Sequence, residues 1–434
     1  MCTHTKDIRQ VRVPANTIPR NANMMFVAPI TEEEVLNVTG KLKNKYSSGF
    51  DEIPASLIKH CIQFINKPLT FIFNLSLNTG TFPNLMKIAK VRPILKKGRI
   101  QDITNYRPIS ILPAFSKIFE TLIHNRVISF LNKYNLISSA QNGFRANKST
   151  YTAIQSFLED ILTTLDSKRF AMGVFLDLTK AFDVINHDRL LTKLDLYGLR
   201  GKIHEWMTSY LTNRFQYVEI YHQDHVSCYS KSFTSSLKEI KHGVPQGSVL
   251  GPLLFLLFIN DLPHAIPQAK VVLFADDTNI LFTDNSLSSL NIKIKKVIDQ
   301  LESWFNVNQL FVNTDKTKVL FFHGKGSTSR NRPVIRLFNR ELVYSSSVKF
   351  LGIDISENLS WLNHTQYICL KLSKALYLIK SLRNSVSLQV LRNVYFTKFE
   401  SIFKYGIMFW GGGGKEIDTV FKVQKKMHKS HYGH

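Results

Sequence analysis

Three aspartates stand where apolar runs end, and their types and spacing suit metal chemistry. Phe170-Ala-Met-Gly-Val-Phe-Leu176 is an unbroken apolar stretch that closes on Asp177. It reads as a buried strand with a carboxylate at its C-terminal edge. Further on, Val271-Val-Leu-Phe274 and Asn279-Ile-Leu-Phe282 flank Ala275-Asp276-Asp277-Thr278, the pattern of a tight hairpin. An Asp pair in such a turn can simply be a solvated tip, but apolar residues on both sides bring this tip close to a core. Clustered carboxylates are costly unless a cation neutralises them. Mg²⁺, a hard ion that takes one or two carboxylates plus substrate phosphates, answers that need. Two such ions about 4 Å apart would activate an attacking hydroxyl and stabilise a leaving pyrophosphate.

The elements that must hold these residues follow from local patterns. Thr31 with Glu34 three residues on forms a capping box and starts a helix before Val35, Leu36 and Leu42. Helices are expected at about 55–66 and 68–79, divided by Pro68, and again near 114–134, 150–167 and 187–212. Segments 215–222 and 227–234 alternate like an exposed hairpin, and a Gly/Pro loop from Gly243 to Gly247 opens a helix over 249–261. Helix 287–305 and strand 318–322 follow, then a linker-like Gly324–Arg330, short strands around 341–355, helices near 362–382 and 387–403, and a basic tail from Lys415.

Composition limits the partners. The 434 residues carry 56 Lys and Arg against 32 Asp and Glu, a net charge of +24, and 44% hydrophobic residues exclude disorder over the whole chain. Such a charge calls for a polyanion, either nucleic acid or an acidic membrane face. The longest apolar run, Val249–Ile259, is too short to span a bilayer, so a membrane partner is not expected. Cys2, Cys61, Cys228 and Cys369 lie far apart, which argues against a zinc module or a disulfide framework. His187, His242 and His323 are scattered and read as satisfied polar residues rather than metal ligands. Residues Met1–Arg20 are polar and show no targeting signal, so the expected locations are cytoplasm and nucleus.

Several motifs stand in a telling order. Phe175-Leu-Asp-Leu-Thr-Lys-Ala-Phe-Asp183, Gly243-Val-Pro-Gln-Gly-Ser-Val-Leu-Gly-Pro252 and Phe274-Ala-Asp-Asp277 resemble motifs A, B and C of reverse transcriptases, in the form found in non-LTR retrotransposons of the jockey type. Asn105-Tyr-Arg-Pro-Ile-Ser110 and Gln141-Asn-Gly-Phe-Arg145 resemble the same family's fingers motifs. Asn313-Thr-Asp-Lys-Thr-Lys-Val319 resembles motif D, and Val348-Lys-Phe-Leu-Gly352 the primer-grip region. The resemblance covers roughly residues 30–410. It implies an α+β fold of right-hand polymerase architecture, with fingers, a palm built on an antiparallel sheet and a helical thumb. The corresponding division is an irregular arm over 1–30, an N-terminal extension and fingers over 31–169, a palm over 170–323, and primer grip, thumb and basic tail over 324–434.

The implied activity is RNA-directed DNA synthesis, with an RNA template, a DNA primer and deoxynucleoside triphosphates as partners. The implied cofactor is a pair of Mg²⁺ ions, with Mn²⁺ as an alternative. Asp177 and Asp276 would hold both ions, Asp277 would be the third carboxylate, and the carbonyl of Leu178 a further ligand. Adjacent strand residues point to opposite faces, so Asp276 and Asp277 are not equivalent, and Asp276 is the preferred ligand. Phe182, five positions after Asp177, would sit under the sugar and exclude a ribose 2′-hydroxyl, or else be an ordinary core ring. Gln246 would contact the nucleotide, with Gly247 giving the backbone room to approach it. Arg107 would stack on the base and reach the triphosphate, and Arg145 would bind template or nucleotide. Lys96 and Lys97 would contact triphosphate or template, or form a solvated charged loop. Lys316 or Lys318 would protonate the pyrophosphate as a general acid, or be a surface lysine.

Charge is concentrated in two segments. Residues 87–126 carry nine Lys and Arg against two acids, and residues 316–349 carry eight against one, so each is net +7. Within the second, Arg330, Arg332 and Arg336 are candidates for phosphate contacts. Full-length family members carry an apurinic-type endonuclease ahead of the polymerase, for which this chain has no room. That activity would come from another polypeptide or a longer form. The competing readings are a catalytically silent nucleic-acid-binding remnant and a maturase- or telomerase-like enzyme, the latter disfavoured because no additional RNA-binding domain is legible.

Overall fold

The computed structural model describes residues 18–223, 230–324, 332–412 and 415–432, so Cys2, Cys228 and Arg330 lie outside the described residues. The chain is mixed α and β. It forms two compact units: one from Met1–Phe144, Leu178–Pro267 and Gln300–Val312, the other from Arg145–Asp177, Gln268–Asp299 and Asn313–His434.

The first unit is built on a sheet whose central strand, Ala89–Leu95, pairs antiparallel with Tyr106–Ile111 and parallel with Arg214–Gln223. Strands Ser230–Thr234 and Lys238–Ile240 both pair with Arg214–Gln223, so the expected exposed hairpin extends a sheet. Thr31 caps the helix Glu32–Lys41 with the capping box read from the sequence. The core is aromatic, with Phe73 stacked on Phe119 at 4.3 Å and Phe82 edge-on to Trp206 at 5.2 Å. In the helix Leu250–Ile259 every residue but Pro252 is buried, which is why its sequence is apolar all round.

Two boundaries differ from expectation. Pro68 does not divide its helix, which runs unbroken from Ala55 to Thr79. Proline removes one donor, from the carbonyl of Phe64, and both residues are exposed, so water can satisfy that oxygen while Ile62, Leu69 and Phe73 bury the other face. The segment 187–212 is two helices, His187–Tyr197 and Lys202–Leu211, separated by Gly198, in left-handed backbone, and Gly201, also at positive φ. Gly198 also approaches the N-terminal segment closely, where an added Cβ would lie 2.3 Å from the carbonyl of Asn23.

The second unit holds a four-stranded antiparallel sheet in the order Lys270–Phe274, Asp277–Asp284, Phe170–Leu176, Lys318–Phe322. Helix Thr150–Asp166 packs Ala153, Phe157 and Ile161 on it, with Phe350 and Ile353 of the hairpin Ser347–Ser356 in the same core. A second core around Leu372, Phe399 and Trp410 joins the helix Leu362–Leu382 to later helices. The expected 387–403 helix forms with a wide π turn at Tyr395–Glu400, and the basic tail is helical over Lys415–Tyr432. Among the described residues, no helix is long and apolar enough to cross a membrane.

Candidate active site

In the second unit, register brings the aspartates to one end of the sheet. Leu176 pairs with Thr278 and Phe274 with Asp277. The ladder therefore stops one residue short of Asp177 on one strand and Asp277 on its neighbour, with Ala275 and Asp276 forming the two-residue tip. Ala275 takes left-handed backbone at φ 55°, a conformation costly for a residue with a Cβ, so the tip is held by the pairing on both sides. Asp276 and Asp277 are exposed and the Asp177 side chain is 48% exposed.

Asp177 is fastened by a segment far along the chain. Its N–H donates to Thr317 Oγ1 at 3.4 Å, and its carbonyl accepts from the N–H of Asn313 at 2.8 Å. Thr317 Oγ1 donates in turn to the carbonyl of Asn313 at 2.9 Å, and the N–H of Lys316 donates to Asn313 Oδ1 at 3.2 Å. This closed turn sets Lys316 Nζ 4.0 Å from Asp177 Oδ2. Lys318 lies on the strand itself, opposite Phe175. Asn313 and Thr317 were not singled out in the sequence, although both lie inside the motif that contains Lys316.

The donor set at this sheet end is all oxygen, open and acidic, which fits a hard divalent cation. Among the described residues no group of three or more His, Cys, Asp or Glu side chains is gathered as a cage. A Mg²⁺ ion that draws the rest of its shell from water and phosphates needs no such cage. In the bridge between Leu178 and Val312, the flanking bonds use the carbonyl of Asp177 and the N–H of Thr179. The Leu178 carbonyl takes no part in them.

The first unit gathers most of the residues expected to meet a nucleotide. Gln246 Nε2 donates to Asp183 Oδ1 at 2.8 Å, a partnership not foreseen although Asp183 closes the motif that begins with Phe175. Burial pushes the Asp183 carboxyl up, while the bond from Gln246 and the charge of Lys180 pull it back. The backbones of the two loops are tied as well: Val244 N–H donates to Phe182 O at 2.9 Å and Gly243 N–H to Ile185 O at 2.8 Å. Gly243, at φ 81°, packs on Asp183, where a Cβ would meet its carbonyl at 2.6 Å. His187 Nε2 contacts Gly243 O at 2.7 Å, the satisfied polar role expected for it, and burial lowers its pKa.

Gly247 makes its closest approach to protein rather than to open space. At φ 128° a Cβ there would sit 2.3 Å from Ser110 O, and Ser110 N–H donates to Gln246 O at 2.8 Å. The strand Tyr106–Ile111 is thereby joined to the Gln246 loop, and exposed Arg107 lies on that strand opposite Ile94. Phe182 is half-buried, its ring stacked on Phe255 at 4.5 Å. Buried Glu120, also unforeseen, accepts from the N–H groups of Val249 and Leu250 at 2.7 and 3.0 Å, fixing the start of the helix that follows Gln246.

The remaining candidates are dispersed. Lys96 and Lys97 are exposed in the loop between Leu95 and Tyr106, and neither forms an ion pair among the described residues. Arg145 stands half-buried before the helix Thr150–Asp166. Arg332 is already engaged, pairing with Glu357 at 2.9 Å and covering the Tyr344 ring at 5.3 Å, whereas Arg336 is exposed on its short strand.

Comparison with known proteins agrees with this arrangement. The family model described as "Reverse transcriptase (RNA-dependent DNA polymerase)" matches residues 94–355, more than half of the chain. The chain is 30% identical over 418 residues to the "RNA-directed DNA polymerase from mobile element jockey" of Drosophila melanogaster, covering 92% of this chain and 43% of that protein. It is 30% identical over 406 residues to the "Probable RNA-directed DNA polymerase from transposon BS" of the same organism, covering 90% and 43%. A third relative, the "Probable RNA-directed DNA polymerase from transposon X-element", is 28% identical over 412 residues, covering 93% and 44%. The chain thus spans less than half the length of these curated relatives. With its motifs in family order and its aspartates at one sheet end, the chain belongs to the reverse transcriptase (RNA-dependent DNA polymerase) family.

Proposed function

We propose that the chain is the polymerase portion of a mobile-element protein and extends a DNA primer on an RNA template. The observation that carries this reading is the pairing of Phe170–Leu176 with Asp277–Asp284, which brings Asp177 to the same sheet end as Asp276 and Asp277. In the corresponding right-hand layout, residues 31–169 would supply an N-terminal extension and the fingers, 170–323 the palm, and 324–434 the primer grip, thumb and basic tail.

Asp177 and Asp276, with Asp277 and the Leu178 carbonyl, would hold two divalent ions, which supply Lewis-acid activation of the primer hydroxyl and neutralise pyrophosphate. In the transfer, the primer 3′-oxygen bonds to the α-phosphorus, the bond to the bridging oxygen breaks, and pyrophosphate leaves. Lys316 holds a proton at Nζ that the leaving oxygen can take, Lys318 being the other lysine of that motif. Arg107 would stack on the incoming base and reach the triphosphate, Arg145 would bind template or nucleotide, Phe182 would exclude a 2′-hydroxyl, and Gln246 would contact the nucleotide. Lys96, Lys97, Arg330, Arg332 and Arg336 would follow phosphates of the nucleic acid.

Primer extension on an RNA template with Mg²⁺ tests the reading. Extension by the wild-type chain that is abolished in Asp177→Asn supports it. RNA binding without any extension would instead make the chain a silent binding module.

A further inference from the structure

We infer that Lys87 and Arg214 form a buried receptor for a small oxyanion of the phosphate class, held inside the first unit at the root of its sheet. Arg214 opens the strand Arg214–Gln223 and is 0% exposed. Lys87 ends the 3₁₀ turn Asn84–Lys87 and is 2% exposed. The parallel ladder pairs Ala89 with Gln216, so the two cations stand side by side just before it begins. Neither forms an ion pair among the described residues.

Arg214 is anchored on one side only. Its Nη1 donates to the carbonyl of Tyr210 at 3.0 Å, and the guanidinium lies over that residue's ring at 4.7 Å. Nε and Nη2 are buried and have no hydrogen-bond partner among the described residues. These two nitrogens share one edge of the guanidinium, and their parallel N–H bonds match two oxygens of a carboxylate or phosphate. The acid whose charge also bears on Tyr210, Glu120, is already engaged: it accepts from Ser116 Oγ and from the N–H groups of Val249 and Leu250.

Water can bond Nε and Nη2, but it leaves two like charges together in a low-dielectric interior. Their repulsion shows in Lys87, whose pKa is drawn from 10.5 down to about 8, first by burial and then by the Arg214 charge. At neutral pH that ammonium is still mostly protonated, so the pair keeps nearly its full charge. An anion bridging both satisfies the donors and the charge at once. A tetrahedral oxyanion can offer two oxygens to the guanidinium edge and a third to the ammonium, whereas a carboxylate has only two. The ion is a free one, because a nucleic-acid backbone cannot follow into a place where both cations are this enclosed.

The test is urea unfolding of the full chain near neutral pH, with inorganic phosphate replacing chloride at constant ionic strength. Wild type should gain stability, its folded-to-unfolded ratio rising about a hundredfold once phosphate reaches about a hundred times its Kd. Lys87→Met keeps the length and apolar stem of the side chain but removes one charge. In chloride it should be at least as stable as wild type, because a repelling charge is gone. Its phosphate titration should shift to roughly tenfold higher concentration, the worth of one charge-assisted hydrogen bond. An equal response in wild type and Lys87→Met would assign the effect to exposed cations of this +24 chain and overturn the inference. A wild type that gains nothing from phosphate beyond chloride would overturn it as well. If Lys87→Met does not fold, phosphorus NMR carries the test: wild type should still bind inorganic phosphate when saturating single-stranded RNA covers the exposed cations, and binding lost to RNA overturns the inference. Each of these failures leaves the polymerase reading intact.

Discussion

Lys316 Nζ stands 4.0 Å from Asp177 Oδ2, brought there by a turn whose Asn313 and Thr317 bond the backbone of Asp177 from both sides. An ammonium at that distance, on a side chain 71% exposed, adds little to stability. In the proposed reaction it would stand beside a carboxylate that holds metal and would deliver a proton to a departing phosphate oxygen. Lys316→Ala should slow the chemical step about a hundredfold, within the range for general-acid loss, and Lys316→Arg should retain more. Rapid-quench measurement of single-nucleotide addition checks this. A larger loss in Lys318→Ala than in Lys316→Ala would transfer the role to Lys318.

Substituting Asp177→Asn or Asp276→Asn should abolish extension while leaving RNA binding largely intact. The amide keeps the shape of the side chain but removes the charge that a divalent ion requires. Asp277→Asn should be harmful but less absolute. Activity above a few percent of wild type in either of the first two variants would contradict the assignment.

Phe182→Val should raise ribonucleotide incorporation relative to deoxyribonucleotide, because less of the ring remains to meet a 2′-hydroxyl. The same change breaks the stack on Phe255 and should cost on the order of 1–3 kcal/mol in unfolding free energy. Incorporation ratios and urea denaturation separate the two effects. Lost stability with an unchanged ratio would make Phe182 a packing residue only.

Affinity for an RNA–DNA duplex should fall nearly linearly with log salt. The loss should be on the order of 10³-fold between about 50 and 200 mM if about six phosphates are neutralised. Neutralising Arg330, Arg332 and Arg336 together should make that slope shallower without altering sequence preference. Because Arg332 already shares its charge with Glu357, its single variant should change the slope less than that of exposed Arg336. Fluorescence anisotropy over a salt series measures both slopes.

Acid should weaken the second unit through His364. Burial first, then the charges of Lys349 and Lys371, lower its pKa from 6.5 to about 4, and its Nδ1 accepts from Asp354 N–H at 3.2 Å, a bond only the unprotonated nitrogen can make. The unfolded chain binds this proton more tightly than the folded one. The contribution is therefore complete above pH 6.5 and is lost as pH falls towards 4, a total on the order of 3 kcal/mol. His364→Gln should remove that component from the pH dependence of urea unfolding. An identical pH dependence in the variant would show that His364 does not supply it.

Local sequence was enough to single out Asp177, Asp276 and Asp277 at the ends of apolar runs, the capping box at Thr31 and most helix and strand positions. Apolar runs that stop at Asp177 and Phe274 are short-range patterns, and burial of a strand with a polar edge follows from them directly. Pro68 misled because its cost depends on whether water reaches the freed carbonyl, a matter of which face the folded helix exposes. Asn313 and Thr317 around Asp177, Asp183 on Gln246, Ser110 against Gly247 and Glu120 under Val249 were settled only by tertiary structure. Each is a hydrogen bond or a close backbone approach between segments remote in the chain. Residue periodicity carries no record of such partners, because they exist only once separate elements have packed and fixed each other's orientation.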